Sequence, residues 1–332
     1  MSQIVKKNEP GKNKILILGA AGFIGTNLTI RLLKEEKELV LFDRSGDLFA
    51  PEVKRAIVAG DVQVVINSYA EMTDKEEWLQ KVSVLKEVKT VYHLVSTTCP
   101  TNSNRNVAAE LQENLIATTY FLDACVEAGV EKIVFLSSGG TVYGKEHTGI
   151  CKEEEEAFPI TVYGLQKLGI EKLLYLYHNM YGLDYRIVRL ANPYGPYQRP
   201  DGVQGVVTTF TWRVLHDIPV EIYGDGSVIR DYIYIEDAIE GILKIAEKEG
   251  RYRLYNLGSG NGHKISQVVE AVVEVTGKVP QILYKPGRPV DVPVNILDIS
   301  RFKEEFGEFE PIGLKEGIRR LVAFYKQKEE NI

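Results

Sequence analysis

A chain of 332 residues with 44% hydrophobic and 26% charged residues has room for one large α/β domain and a smaller one appended to it. The net charge of −6, with Lys and Arg dispersed, leaves no electrostatic footprint for nucleic acid, and no apolar stretch approaches a membrane span. Cys99, Cys125 and Cys151 lie far apart without a C-x-x-C pair and the five histidines are scattered, a pattern that fits a reducing cytoplasm and supplies neither a disulfide framework nor a metal site.

Residues 1–13 are polar, carry Lys6, Lys7 and Lys12, and lack the apolar centre of a signal peptide, so a frayed start is expected. Residues 15–18 form a short apolar run ending in Gly19, the pattern of a central parallel strand buried on both faces. The run enters Gly19-x-x-Gly22-x-x-Gly25 and then an amphipathic helix over 26–34, with Leu28, Leu32 and Leu33 on one side. Gly19 permits the tight turn and Gly22 lets the backbone approach a pyrophosphate. Gly25 lets the helix sit close to the strand with its first N–H groups facing the anion. The spacing is a variant of the usual dinucleotide fingerprint, one residue longer at its start. A second strand over 39–43 ends in Asp43, eighteen residues beyond Gly25, where a carboxylate bonds adenosine ribose hydroxyls and repels a phosphate. The unit therefore favours NAD over NADP, with Arg44 partly offsetting the repulsion.

Residues 53–59 lead into Gly60-Asp61-Val62, a turn that sets an acid over the adenine edge; Asp61 serves equally as a cap of the next segment. A strand over 91–95 delivers Ser96, Thr97 and Thr98 to the C-terminal edge, where ligands sit in such sheets. A helix over about 108–128, closed by Gly129, precedes a strand over 133–136 that runs into the segment 137–144. Strand and helix have by then alternated several times, which predicts an α/β fold with a Rossmann-type, doubly wound parallel sheet. Residues 151–156, with four consecutive glutamates, form a solvated loop. Tyr163 opens a helix that ends near 181 before Gly182, and Lys167, four residues on, shares its face.

A strand over 185–190 passes into Asn192-Pro193-Tyr194-Gly195-Pro196, and the alternation then breaks. A segment 204–214 comes next, then a strand 220–223, the turn Gly224-Asp225-Gly226 and Arg230-Asp231-Tyr232. Alternation returns in a helix over 236–247 and a strand over 254–257; a helix 266–276, a strand near Ile282, a loop 287–291 and a helix 314–328 complete the chain. The expected division is a dinucleotide-binding domain over 14–192, its sheet completed by about 234–258, and a smaller C-terminal α/β substrate domain over 193–233 and 259–330.

In this order and spacing the motifs resemble a known family. They are Gly19-x-x-Gly22-x-x-Gly25, Asp43, Asp61-Val62, His93-Leu94, the segment 137–144, Tyr163-x-x-x-Lys167, Asn192 to Pro196, Gly224-Asp225-Gly226 with Arg230-Asp231, Asn256-x-Gly258-x-Gly260 and Arg288-Pro-x-Asp291. The resemblance, over nearly the whole chain, is to the extended short-chain dehydrogenases/reductases, and among them to nucleotide-sugar epimerases and dehydratases of the UDP-galactose 4-epimerase type. It implies NAD held by Gly19, Gly22, Phe23, Ile24, Gly25, Asp43, Arg44, Asp61, Val62, Leu94, Ser96, Asn114, Tyr163, Lys167 and Pro193. It implies Tyr163 as catalytic acid/base, with Lys167 holding the nicotinamide ribose and keeping a cation beside the phenol. A free tyrosine ionises near pH 10, so base strength near pH 7 needs a shift of roughly three units, about 4 kcal/mol. Lys167 and the positive nicotinamide ring supply it together. The diphosphate falls to Asn192, Arg230 and Arg288, where two guanidiniums suit a pyrophosphate, and the uridine end to Val206, Tyr223 and Asp291.

Gly139 departs from the family pattern, which places there a Ser or Thr bonded to the reacting sugar oxygen. Thr141, two residues on along an extended strand, is the expected substitute, with Ser138 or an ordered water as alternatives. Related 4,6-dehydratases and UDP-glucuronate decarboxylases carry an acid where Thr141 stands. The resemblance therefore favours epimerisation at C4 of a UDP-hexose, UDP-glucose or UDP-galactose, through a transient 4-keto sugar with the cofactor regenerated each cycle. Asn295, where hexose-only epimerases tend to place a tyrosine, implies room for N-acetylated sugars. Two readings compete: another NAD-dependent nucleotide-sugar enzyme, such as a uronate epimerase, dehydratase or reductase, and a non-catalytic NAD-binding regulator hinted at by Gly139. The family's pairing of subunits implies a homodimer with the helices over about 108–128 and 163–181 in a four-helix interface.

Overall fold

The computed structural model describes residues 13–145, 149–200, 205–288 and 291–330. Residues 1–12, Gln204, Pro289 and Val290, which fall in expected segments, lie outside the described residues. Seven parallel strands make the large sheet: β1 (Lys14–Leu18), β2 (Leu39–Asp43), β3 (Val62–Ile66), β4 (Val88–His93), β5 (Lys132–Ser138), β6 (Asp184–Leu190) and β7 (Leu254–Leu257). Their spatial order is β7-β6-β5-β4-β1-β2-β3. Successive side chains point to opposite faces: Leu16, Val40, Phe42, Val91, Ile133 and Phe135 pack on one, Ile17, Leu41, Tyr92, Val134 and Leu136 on the other. Both faces are apolar, so both must be covered. Helices α1 (Phe23–Leu33) and α2 (Pro51–Ala59) cover one face with Leu28, Leu32 and Val53. On the other lie α3 (Lys75–Lys81), α4 (Val107–Leu111), α5 (Ala117–Ala128) and α6 (Val162–Tyr181), which bring in Trp78, Phe121, Ile170 and Leu174.

β1 has β2 on one side and β4 on the other, so the chain reverses its direction of travel across the sheet at β1. Loops leaving β1 and β4 diverge there, and a crevice opens at the C-terminal ends of the strands. The expected helix over 108–128 is α4 and α5 joined by a wider π turn at Gln112–Ile116, with Gly129 left-handed at its end (φ +73°). Such turns inside helices recur at functional sites.

Residues 60–62 differ from expectation. Gly60, at φ +80°, is the C-cap of α2 and not a turn at the ligand edge, and β3 starts at Val62. Asp61 and Val62 therefore stand at the start of their strand, which in a parallel sheet puts them roughly 15 Å from the ligand edge. The residue at the ligand end of β3 is Asn67, whose N–H donates to the Asp43 carbonyl at 2.9 Å.

Beyond β6 the chain builds a second layer. Strand Ile229–Tyr234 pairs with Asn192–Tyr194, Gly262–Lys264 and Val294–Leu297, while Val220–Tyr223 pairs with Ile282–Lys285. Helices Val206–Leu215, Ile265–Thr276 and Leu314–Glu330 bury Phe210, Val268 and Ile318 together. One stretch crosses the expected domain division: Leu297, Phe302 and Phe306 join the core at β7, with the Tyr255 and Phe306 ring centroids 5.1 Å apart. Residues 297–309 thus pack with the large sheet. No helix among the described residues is long and apolar enough to cross a membrane. Nor does any group of His, Cys, Asp and Glu among them have the arrangement to hold a metal ion.

Candidate active site

A cleft of about 940 Å³ opens along the C-terminal ends of β1, β4, β5 and β6 and reaches into the second layer. Its first end is made largely of backbone. Gly19 is left-handed (φ +82°), and a Cβ on Gly25 would sit 2.2 Å from the Gly19 carbonyl oxygen, so only glycine closes this turn. No side chain caps the start of α1, which leaves its first N–H groups and the positive helix end free for an anion. Asp43 stands beside the turn, Oδ2 accepting the Ala21 N–H and Oδ1 the Arg44 N–H, both at 2.8 Å, with lone pairs remaining for hydroxyl donors. Gly22, Phe23, Ile24, Leu94, Ser96 and Pro193 line the same end. A cradle that a Cβ would fill, uncapped helix amides and an acceptor-only carboxylate together fit a dinucleotide without a 2′-phosphate.

At the centre of the cleft stand Tyr163, Lys167, Ser138 and Thr141. One turn of α6 separates Tyr163 from Lys167 and sets the Lys167 Nζ 5.8 Å from the phenol ring centroid, while that ammonium donates to the Leu136 carbonyl at 2.8 Å. Burial pushes the Tyr163 phenol up to about 12 and the nearby Cys99 thiol adds to this, whereas a hydrogen bond from the Ser138 hydroxyl opposes it. Burial lowers the Lys167 ammonium to about 8, with Glu171 acting the other way, so it remains a cation at neutral pH. The Thr141 Oγ1 is buried and has no hydrogen-bond partner among the described residues.

The far end is built from side chains of the second layer: Val206, Tyr223, Arg230, Arg288 and Asp291, with Asn192 at its margin. Arg230 donates to the Val292 carbonyl at 2.5 Å and lies 3.8 Å from Asp291, and the Arg288 guanidinium stacks 3.7 Å from the Tyr223 ring centroid. The Asn192 Nδ2 donates to the Asp231 carbonyl at 2.8 Å, which joins the end of β6 to strand Ile229–Tyr234. The carboxylates lining the cleft among the described residues, Glu221 and Asp291, are both at this end.

A family model described as the NAD dependent epimerase/dehydratase family matches residues 15–258. The chain belongs to that family. It is 34% identical over 321 residues, 96% of this chain and 99% of the other, to a dTDP-4-dehydro-6-deoxyglucose reductase of Escherichia coli. Among solved structures it is similar to the UDP-glucose 4-epimerase of Thermotoga maritima with UDP-glucose, with a TM-score of 0.86, 31% identity and coverage of 95% and 99% of the two chains. It is also similar to the Thermus thermophilus UDP-glucose 4-epimerase complex with NAD, with a TM-score of 0.82, 30% identity and coverage of 94% and 99%. The protein is thus an NAD-dependent enzyme of the nucleotide-sugar epimerase/dehydratase kind, and NAD is its cofactor.

Several residues assigned from family resemblance stand elsewhere. Asp61 and Val62 are at the opposite sheet edge, whereas Arg44 is exposed directly beside Asp43 at the ligand end of β2. Asn114, in the π turn, spends its side chain on the loop after β4: Oδ1 accepts the Thr97 N–H at 2.9 Å and Nδ2 donates to the Thr97 Oγ1 at 2.7 Å and the Glu110 carbonyl at 2.9 Å. It positions cofactor-side residues from behind. Asn295 is buried behind the cleft wall, donating to the Gly139 carbonyl at 3.0 Å and approaching the Cys151 sulfur. It does not line the cleft, so the inference of N-acetyl tolerance drawn from it loses its basis. Gly139 also faces away: a Cβ there would meet the Leu297 side chain at 2.5 Å and the Arg189 carbonyl at 3.2 Å, so no side chain from that position reaches the phenol. The one hint of a non-catalytic protein disappears with it.

Sequence reasoning missed the support behind the phenol. Glu171, four residues beyond Lys167, holds Arg189 through Oε1 at 3.0 Å and Oε2 at 2.7 Å and accepts the Ser137 hydroxyl at 2.5 Å, all buried. The Lys167-x-x-x-Glu171 spacing signals one helix face, but Arg189 lies on another element. Gln166 likewise donates from α6 to the Thr98 Oγ1 at 3.0 Å, fastening the loop after β4.

Proposed function

We propose that this enzyme is a UDP-hexose 4-epimerase interconverting UDP-glucose and UDP-galactose. The observation that carries the reading is the meeting of Tyr163, Lys167, Ser138 and Thr141 in one corner, between the NAD cradle and the Arg230 and Arg288 end. In this reading Tyr163 removes the proton from the sugar C4 hydroxyl and later returns it. Thr141, which lines the same corner, holds the reacting sugar oxygen once its side chain turns the buried Oγ1 into the cleft, and Ser138 steadies the phenol. NAD supplies the hydride acceptor at C4 and gives the hydride back. Arg230 and Arg288 keep the diphosphate tethered while the flat 4-keto sugar presents its other face. The phenol at about 12 in the free protein already has the Lys167 ammonium nearby, so the fall needed to act near neutral pH rests on the added cationic nicotinamide ring. Dehydration needs a proton-shuttling acid beside the reacting carbons, and the lining carboxylates Glu221 and Asp291 are at the nucleotide end.

A second reading is a reductase of a 4-keto sugar, favoured by the 34% identity to the Escherichia coli dTDP-4-dehydro-6-deoxyglucose reductase. The same phenol would then donate its proton to the C4 oxygen. Incubation with UDP-glucose and no added pyridine nucleotide, followed by sugar NMR, decides between them. UDP-galactose is the expected product. Unchanged UDP-glucose, together with stoichiometric consumption of NADH by a dTDP-4-keto sugar, would replace the epimerase by the reductase.

The same reading includes a homodimer. Leu165, Leu176 and Met180, at 46%, 47% and 56% exposure, form an outward apolar stripe on α6. Ile116, at 37%, lies on the neighbouring helix. Light scattering should give twice the chain mass, and a monomer for Leu176→Glu. A cytoplasmic location fits the three free thiols.

A further inference from the structure

The helix that carries Tyr163 is anchored at its start by residues from a distant loop. α6 needs acceptors for its first N–H groups. Thr161, its own N-cap, serves the Gly164 N–H at 3.1 Å. The two amides before it are served from about sixty residues away: the Val162 N–H donates to the Asn104 Oδ1 at 2.7 Å, and the Tyr163 N–H to the Ser103 Oγ at 2.8 Å. Both acceptors end the loop whose Cys99, Pro100, Thr101 and Asn102 wall the cleft beside the phenol. The loop is closed on itself, with the Cys99 N–H donating to the Asn102 Oδ1 at 2.7 Å and the Ser103 N–H to the Cys99 carbonyl at 3.0 Å.

Behind this junction sits Glu110 of α4, only 5% exposed. Its Oε2 accepts the Ser103 hydroxyl at 2.7 Å and its Oε1 the Asn104 N–H at 2.9 Å. No Lys or Arg among the described residues is paired with it, so its two oxygens are held by these donors. A serine hydroxyl can point its hydrogen either way, and here it points to the Glu110 Oε2. Glu110 therefore fixes the Ser103 O–H as donor and turns its lone pairs to the Tyr163 amide. Asn104 is held at φ +79°, a left-handed conformation that asparagine tolerates better than most side chains, and this aims its Oδ1 at Val162.

We propose that Glu110 is a positioning residue for Tyr163: by orienting Ser103 and Asn104 it locks the start of α6 to the loop that walls the sugar end of the cleft. The proposal rests on Tyr163 as acid/base. Misplacing a reacting group by about 1 Å can cost on the order of a hundredfold in rate, so the expected signature is in kcat. For Glu110→Gln and Ser103→Ala, kcat with UDP-glucose should fall by about tenfold or more while KM, set by the arginine end, stays within about twofold. Asn104→Ala should behave alike, and Asn104→Asp, which keeps the acceptor, should recover most of the rate. Hydrogen exchange at the Val162 and Tyr163 amides reads the same lock without substrate and should speed up by about tenfold or more in Glu110→Gln. The proposal is overturned if that exchange is unchanged. It is also overturned if Glu110→Gln keeps wild-type kcat while Tyr163→Phe has none. Wild-type turnover by Tyr163→Phe would instead overturn the acid/base reading and leave the lock to be judged by exchange alone.

Discussion

The two ends of the cleft are built in opposite ways. The cofactor end uses backbone from one continuous stretch, where Gly19 is left-handed and Gly25 leaves no room for a Cβ. The other end, where the proposed function puts the nucleotide sugar, uses side chains gathered from Asn192, Val206, Tyr223, Arg230, Arg288 and Asp291, on separate strands and loops. A site made of backbone has few tolerated substitutions and one ligand shape; a site made of scattered side chains can be altered one contact at a time. On the proposed function, then, the first end holds NAD and the second selects the nucleotide sugar.

That contrast can be broken from either side. The largest effect is expected for Gly25→Val: a Cβ 2.2 Å from backbone cannot be relieved by a rotamer change, so the variant should lose about 3 kcal/mol of stability and purify without NAD. Thermal unfolding and nucleotide extraction check both. Next is Tyr163→Phe, which should retain NAD and fold normally but lose about a thousandfold in kcat, since proton transfer by a placed group is worth about 10²–10⁴. Retained NAD with absent turnover would separate cradle from chemistry. Arg288→Leu should raise KM for UDP-glucose about tenfold with kcat within about twofold, because a charge-assisted contact to the diphosphate binds ground and transition states alike. A fall in kcat at unchanged KM would place Arg288 in the reacting corner instead.

The smallest effect concerns pH. Lys167 is held at about 8 by burial, below the ordinary lysine value of 10.5, so the unfolded chain binds more protons than the folded one between those values. The burial penalty on the cation is fully present below pH 8 and is relieved as pH rises to 10.5, so this group alone makes the NAD-free protein gain stability across that window. The difference in melting temperature between wild type and Lys167→Met should therefore move in favour of the wild type from pH 8 to 10. No change in that difference would mean the ammonium is better solvated than its 4% exposure implies.

Legibility in the sequence divides along the same line. The glycine turn, Asp43 and the Tyr163–Lys167 pair are local patterns, and local spacing fixes which atoms meet. Asp61 was misplaced because Gly60 is equally good as a turn or a helix cap, and β3, Val-Gln-Val-Val-Ile, is short and only partly buried. Asn295 failed for a different reason. In a strand one position decides the face, and chain order says nothing about whether strand Val294–Leu297 turns that residue to the cleft or to Gly139. The partners of Glu171 and Glu110 were invisible because Arg189, Ser103 and Asn104 come together with them, or with α6, only through the packing of elements around the sheet.

The central claim is a hydride exchanged at the sugar C4 while the Tyr163 phenol handles the C4 hydroxyl proton. UDP-glucose carrying deuterium at C4, incubated with the purified enzyme and no added nucleotide, tests it most directly. UDP-galactose with its deuterium still at C4, and none formed by Tyr163→Phe, is the result predicted here. Deuterium lost to solvent, or the same product at the same rate from Tyr163→Phe, would contradict it.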